Sequence, residues 1–302
     1  MNRQNPFDQV CDLLPFGLRQ AARNLPRTEQ MITEEIRLRI GQPVSVSIPE
    51  GEVFLPGSPI ITAKDLHSVL EVATKASAHA VLDRVCQGFI AVAGGHRLGL
   101  CGNVVNRDGK IHNLRSVSSL NLRIAKQIPG IGNDLLWNIC EDGTPQSVLV
   151  LAPPGVGKTT LLRDLIRGLS YGVSGKPQRI GVADERGELA AMWDGVPQFD
   201  LGPHTDVLDG CKKVDGLMIL LRGMNPQVLA VDEITAPEDV EALQMAAGCG
   251  VSLLATAHGR SMDELRTRPL YDNLLHKKIF RWLIWIGIHE GAREYRVEEI
   301  VC

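Results

Sequence analysis

The stretch VLVLAPPGVGKTT (Val148–Thr160), followed at helical spacing by Leu161, Leu162, Leu165, Ile166 and Leu169, decides the fold. An unbroken apolar run of strand length enters a loop of Pro and Gly, and a pattern of period 3.6 leaves it. Strand, loop and helix in that order make a β-α unit of a parallel sheet. Within the loop, Gly155 and Gly157 let backbone N–H groups curl around phosphate oxygens, and the helix N-terminus adds the positive end of its dipole. Lys158 brings an ammonium to the β and γ phosphates, and Thr159 brings a hydroxyl to Mg²⁺. Ala152, Pro153, Pro154, Gly155, Val156, Gly157, Lys158, Thr159 and Thr160 therefore form a candidate P-loop for ATP. Ala152 stands where this motif usually has its first glycine, which alters the loop entrance and leaves the cradle intact. An incidental strand-to-helix turn is the competing reading, and lysine, threonine and context together weigh against it.

Three more apolar runs follow, at Arg179–Asp184, Val228–Glu233 and Val251–His258, alternating with longer helical patterns. A mostly parallel sheet follows, with its ligand site at the carboxyl ends of the strands. At those ends stand the residues with chemistry. Asp232 closes an apolar strand and is placed to hold the Mg²⁺ shell; Glu233, immediately after it, is placed to orient or deprotonate water. Asp184-Glu185-Arg186-Gly187-Glu188 puts carboxylates and one guanidinium within reach of the metal shell, the attacking water or a neighbouring subunit, unless it is a solvated charged loop. Thr256-Ala257-His258-Gly259 ends the fourth strand, where His258 could sense a γ-phosphate or serve structure alone.

The first half has a different pattern. EIRLRIGQPVSVSI (Glu35–Ile48) alternates around a Gly-Gln-Pro turn, as two half-buried strands do. Thr62 and Asp65 make a capping-box start for a helix that carries Leu66, Val69, Leu70 and Ala73 at helical spacing. Phe89–Val105 reads as two strands joined at Gly94-Gly95, and Asp108-Gly109 as a turn before an extended stretch through Ile124. Chain breakers at Pro129-Gly130-Ile131-Gly132 mark a linker. The expected organisation is an α+β domain over 1–128 and a P-loop α/β domain with a mostly parallel sheet over 129–302. The last segment, with Phe280–Ile288, a turn near Glu290-Gly291 and Arg293–Val301, reads as a closing β-hairpin in preference to a membrane-surface patch.

Composition excludes several classes. With 302 residues, 44% hydrophobic and 22% charged, the chain can bury a sizeable core. A net charge of −3 and 4% aromatic residues give no basic field or stacking platform for nucleic acid. Seven scattered cysteines without a Cys-x-x-Cys pair read as reduced thiols. No run approaches the roughly 20 apolar residues of a membrane span, so the expected location is the cytoplasm, free or docked on a membrane complex through other proteins.

Four strand-end motifs in this order resemble the type II/IV secretion and pilus-retraction ATPases, which carry Walker A, acidic, Walker B and histidine boxes. Within that superfamily EIRLRIGQPV, GHRLGLCGNV, SLNLRIAKQIPG, LAPPGVGKTTLLRDLIR, VADERGELA, DEI and ATAHG are similar to the stage III sporulation AA family of endospore-forming bacteria. The resemblance implies a mother-cell ATPase with a RecA-like second domain, working as a homo-oligomer, a hexameric ring, on membrane proteins of a sporulation channel complex. The Asp232-Glu233 pair is a more ordinary Walker B than many secretion ATPases have, so Glu233 is preferred as catalytic base and Glu185 held in reserve. The nucleotide motifs supply no obvious arginine in cis, which leaves Arg123 as the candidate delivered to a neighbour's site, with Arg115 and Arg222 behind it. An ATP-liganded scaffold and a nucleic-acid-stimulated ATPase are the competing functions. No guanine-reading signature is evident, and ATP over GTP stays open at this level.

Overall fold

In the computed structural model, residues 5–74, 89–107 and 110–300 are described. The Asp108-Gly109 turn, Cys86 and Cys302 lie outside them. Two compact units divide the chain, Met1–Lys126 and Gln127–Cys302.

The first unit begins with three short helices, α1 (Pro6–Cys11), α2 (Phe16–Arg23) and α3 (Arg27–Ile32). Pro15 and Pro26 sit at the N-caps of the second and third, where a proline's missing N–H is harmless. Then come β1 (Glu35–Arg39), β2 (Ser45–Ile48), β3 (Gly51–Phe54), α4 (Ala63–Ala73), β4 (Phe89–Val92), β5 (His96–Arg107) and β6 (Lys110–Arg123). They form one antiparallel sheet in the order β3-β2-β1-β6-β5-β4. The alternation in β1 buries Ile36 and Leu38 completely, while Glu35, Arg37 and Arg39 stay half-buried on the other face. The Thr62–Asp65 capping box is present. Thr62 Oγ1 accepts from the Asp65 N–H, and Asp65 Oδ2 accepts from the Thr62 N–H. Leu66, Val69 and Ala73 of α4 then pack with Phe7, Val10 and Leu14 of the helical start in one core.

The second unit opens with a turn at residues 129–132 and a helix at Asn133–Ile139. A two-residue hairpin follows, β7 (Cys140–Glu141) with β8 (Thr144–Pro145), then β9 (Val148–Ala152), β10 (Ile180–Asp184), β11 (Thr205–Asp209), β12 (Val228–Val231), β13 (Ser252–His258), β14 (Trp282–His289) and β15 (Ala292–Glu299). The main sheet runs β11-β10-β12-β13-β9-β14-β15. All neighbours are parallel except the last hairpin. Every residue of β9, β10 and β12 is buried, because helices cover both faces. Leu149 and Leu151 point into one core, with the Lys213–Gly223 and Pro237–Gly248 helices; Val148, Val150 and Ala152 point into the other, with the Lys158–Tyr171 helix.

The segment read as a linker is fastened to the second unit. Asp164, on the Lys158–Tyr171 helix and 2% exposed, accepts from the Gly130 and Gly132 N–H groups, both at 2.8 Å, and from Arg167 Nε at 2.7 Å. The closing hairpin is also present, with a feature alternation alone did not reveal: β14 lies parallel beside β9, Trp282 opposite Val148. The described cysteines are free thiols.

A buried histidine sets the acid limit of the first unit. His96, 1% exposed, accepts the Ala125 N–H at Nδ1, which leaves Nε2–H to donate to Gln9 Oε1 at 3.0 Å. Burial pushes its pKa down from 6.5 to about 4. A folded value below the unfolded one makes the stabilisation complete above pH 6.5 and lost as pH falls towards 4. The loss should reach about 3 kcal/mol, at about 1.4 kcal/mol per unit. Urea titrations between pH 7 and pH 4 should show it, and His96→Gln should flatten that part of the curve. An unchanged slope in the variant would rule out His96 as the cause.

Candidate functional site

The carboxyl ends of β9, β12 and β13 converge on the loop between β9 and its helix. Ala152 is still part of β9, paired with His258, so the extended backbone there accepts a methyl group without penalty. Gly155 and Gly157 are different. Their φ angles of +77° and +113° belong to the left-handed half of the map, and a Cβ built on Gly155 meets no atom within 4 Å. At Gly155 the loop thus turns a bare backbone towards open space, just before the first turn of a helix of 14 residues.

Lys158 begins that helix and is 7% exposed. Its ammonium donates to His258 Nδ1 at 2.8 Å and lies 3.4 Å from the Pro153 carbonyl oxygen. Among the described residues no carboxylate pairs with it. Burial pushes its pKa below the usual lysine value, with Asp232, Glu233 and Glu188 pulling it back from a distance. Because Nδ1 accepts, the proton of a neutral His258 sits on Nε2, which reaches Glu233 Oε1 at 2.9 Å. Arg186 Nη1 donates to the other Glu233 oxygen at 2.6 Å.

Asp232 sits one residue beyond β12 and accepts two hydroxyls, from Thr159 and from Thr256, each at 2.6 Å. Thr256 Oγ1 also accepts the Glu233 N–H at 2.8 Å. Glu233 itself has φ +56°, a left-handed backbone rarely adopted by a side chain of this size. Such a conformation costs on the order of 1 kcal/mol or more and persists where surroundings over-determine it. Here the Thr256 hydroxyl fixes the backbone and Arg186 and His258 fix the carboxylate.

The five-residue acidic segment divides into separate roles. Asp184, 2% exposed, anchors the following loop: its carboxylate accepts the backbone N–H groups of Glu188, Leu189 and Ala190. Burial lifts its pKa above the ordinary carboxylate range, outweighing those three N–H groups. Glu185 accepts from Lys213 Nζ at 2.7 Å, and the same ammonium lies 3.6 Å from Asp239. Asp184, Glu185, Arg186, Glu188, Lys213, Asp232 and Glu233 line one small cavity. Arg123 stands on β6 of the first unit, exposed, opposite Glu35 and Arg97. Arg186 is the guanidinium of this cavity, and its partner there is Glu233.

Sequence reasoning missed Lys213, Arg268 and Arg293. Lys213 is 5% exposed at a helix start, Arg268 Nη1 donates to the His258 carbonyl at 2.8 Å, and Arg293 Nε donates to the Val156 carbonyl at 2.8 Å. None carries a spacing signature: Lys213 and Arg293 come from elements remote in sequence, and Arg268, ten residues beyond His258, from the cap of the helix that follows.

Thr159 and Asp232 fit a small divalent cation in one way only. Among the described residues no three His, Cys, Asp or Glu side chains cluster to hold a metal ion. A Mg²⁺ there would take one hydroxyl, one carboxylate and oxygens from a phosphate ligand and water, the usual environment of that ion.

The model of the family described as Sporulation stage III, protein AA matches residues 3–298. Stage III sporulation protein AA of Bacillus subtilis is 37% identical over 280 residues, which cover 91% of this chain and 89% of that one. The chain belongs to the sporulation stage III protein AA family. Solved structures similar to this member of the family include the pilus retraction motor PilT with bound ADP, at TM-score 0.60 and 18% identity, covering 88% of this chain and 79% of that one. The ATPase DotB of Legionella pneumophila is similar at TM-score 0.57 and 15% identity, covering 88% and 76%. At such identities the likeness shows the fold, that of the RecA-like secretion ATPases.

Asp184 generates a stability prediction. Asp184→Ala leaves two buried N–H groups and one part-buried N–H group unpaired and should lower unfolding free energy by about 3 kcal/mol, whereas Asp184→Asn keeps one acceptor oxygen and should lose less. Denaturant midpoints measure both. A loss within about 0.5 kcal/mol of parent, the size of a surface substitution, would refute the loop-holding role.

Proposed function

We propose that this member of the family binds ATP with Mg²⁺ in the Ala152–Thr160 loop and hydrolyses it to drive or assemble a membrane complex of sporulation. The observation that carries the reading is Lys158, a cation 7% exposed beside neutral partners, at the positive end of a helix. A buried charge without a counter-charge is unfavourable, and a phosphate placed against the bare loop supplies one. An ordinary structural lysine would be exposed or paired.

Each neighbour then has a role. Thr159 and Asp232 hold the Mg²⁺, which neutralises charge on the phosphate oxygens. Glu233 orients the attacking water and takes its proton, as ADP departs from the γ-phosphoryl group. His258 joins the two ends of the site, since it accepts from Lys158 and donates to Glu233. A phosphate that draws the ammonium away from Nδ1 changes what the imidazole offers to the carboxylate. Glu185, engaged by Lys213, is the second choice of base.

The working unit is a homo-oligomeric ring, taken as a hexamer by resemblance to the secretion ATPases, docked on membrane proteins of a sporulation channel complex from the cytoplasmic side. No helix among the described residues is long and apolar enough to cross a membrane. Arg123 is assigned to a neighbour's nucleotide.

Lys158→Ala should lose nucleotide affinity and turnover together, as calorimetry and phosphate release would measure. Glu233→Gln should keep ATP affinity within a few-fold while turnover falls about 10²-fold or more. Parental hydrolysis by the lysine variant would refute the site. Near-parental hydrolysis by the glutamine variant would move the base to Glu185 or Glu188.

The ring has its own test, in which Arg123→Ala subunits are mixed with Lys158→Ala subunits. An inserted arginine contributes roughly 10³-fold or more to turnover. Shared sites should restore part of the activity in mixed rings, and strictly additive rates from the two variants would refute the trans arginine.

A further inference from the structure

The β14–β15 hairpin carries arginines that differ in what they touch. Arg281 pairs with Glu141 and Glu299, and Arg296 pairs with Glu294. Arg293 has no such carboxylate among the described residues. Its Nε donates to the Val156 carbonyl at 2.8 Å, and its guanidinium lies over Gly157: a Cβ built there would meet Nε at 3.1 Å and the guanidinium carbon at 3.4 Å. The side chain is exposed, yet it is laid on the main chain of the phosphate loop with its terminal nitrogens still to be matched.

Strand order tells which part of a ligand it would meet. Asp232, Glu233 and His258 come from the ends of β12 and β13, on one flank of β9; Arg293 comes from β15, on the other. A nucleotide whose β-phosphate sits in the loop and whose γ-phosphate faces Glu233 must lead its α-phosphate and nucleoside out on the hairpin side. An arginine fork is matched to phosphate oxygens, and one Nε bond to a fixed carbonyl holds it ready for them.

We infer that Arg293 is a nucleotide-binding residue whose guanidinium takes the α-phosphate of a nucleoside di- or triphosphate, opposite the flank where hydrolysis is assigned. The assignment rests on the proposed nucleotide site and adds its second wall. It also ties the terminal hairpin to occupancy of the loop, because one side chain bridges them.

The test compares Arg293→Ala and Arg293→Lys with the parent in calorimetric titrations of ADP, ATP and pyrophosphate, each with Mg²⁺. Charge-assisted bonds of this kind predict roughly 10-fold weaker binding of ADP and ATP by R293A, in equal measure. Pyrophosphate, which has no α-phosphate beyond the cradle, should keep its affinity within about twofold, and kcat at saturating ATP should stay near the parent value while KM rises. R293K should recover part of the loss, and it carries the same comparison should R293A melt earlier than the parent. A larger loss for ATP than for ADP would move Arg293 to the γ-phosphate and overturn the assignment. Equal losses for pyrophosphate and ADP would mean a distorted loop, and unchanged affinities would mean no contact; either overturns it. Lys158→Ala run alongside separates the two levels. If it abolishes ADP binding while R293A does not, only the arginine assignment fails; if neither variant affects binding, the nucleotide site itself fails.

Discussion

The ammonium of Lys158 is the charge around which the working end of the second unit is arranged. It is buried at the first residue of a long helix, where the unpaired N–H groups of the first turn already make the potential positive. Two positive features in one place are unfavourable alone, and the nearest side chains give only partial relief. A neutral imidazole accepts one hydrogen bond, and the carboxylates of Asp232 and Glu233 act from beyond ion-pair distance. The ammonium is thus left without a direct ion pair and open to an anion, whereas a directly paired lysine would have to break an ion pair first.

That spacing depends on how the carboxylates are tied. Asp232 is occupied by two hydroxyls, and Glu233 by a guanidinium on one side and an imidazole on the other. The left-handed backbone of Glu233 is what turns consecutive acids in different directions, one towards Thr159 and one towards His258. An extended continuation of β12 would also send alternate side chains to opposite faces, but it would drive one of them into a helix-covered core. The strain is thus local, and the Thr256 hydroxyl, accepting the Glu233 N–H, helps hold it.

Much of this was legible from residues alone, for physical reasons. β9, β10, β12 and β13 are sandwiched between helices, so their sequences are mostly apolar, with polar residues gathered towards the ends, and announce themselves. β11 was not read, because as an edge strand it carries Thr205, Asp206 and Asp209 and is only half-buried. The short helices before Glu35 were not read either, since six to eight residues bounded by prolines give too little periodicity. In the site, Lys158, Thr159, Asp232, Glu233 and His258 were legible because each ends a strand or begins a helix in a recognisable order. Lys213 and Arg293 were not, because their partners are set by packing of elements far apart in sequence, and Arg268 was not, because its partner is a backbone carbonyl that no spacing pattern marks. Asp184 lines the acidic cavity and also anchors the loop after β10, a second role hidden from the sequence because a charged run does not reveal burial.

The place of the terminal hairpin gives the sheet its functional asymmetry. With β13 on one side of β9 and β14 on the other, the loop is walled on both flanks, and the two walls differ chemically. The β12–β13 flank offers carboxylates and an imidazole, groups that handle protons and a metal ion. The hairpin flank offers a guanidinium, which cannot give up its proton and can only bind. A nucleotide bound as proposed would therefore lie with its γ-phosphate on the β12–β13 flank and its nucleoside on the hairpin flank. Orientation follows from the strand order, because parallel pairing of β14 beside β9 is what carries Arg293 to Gly157.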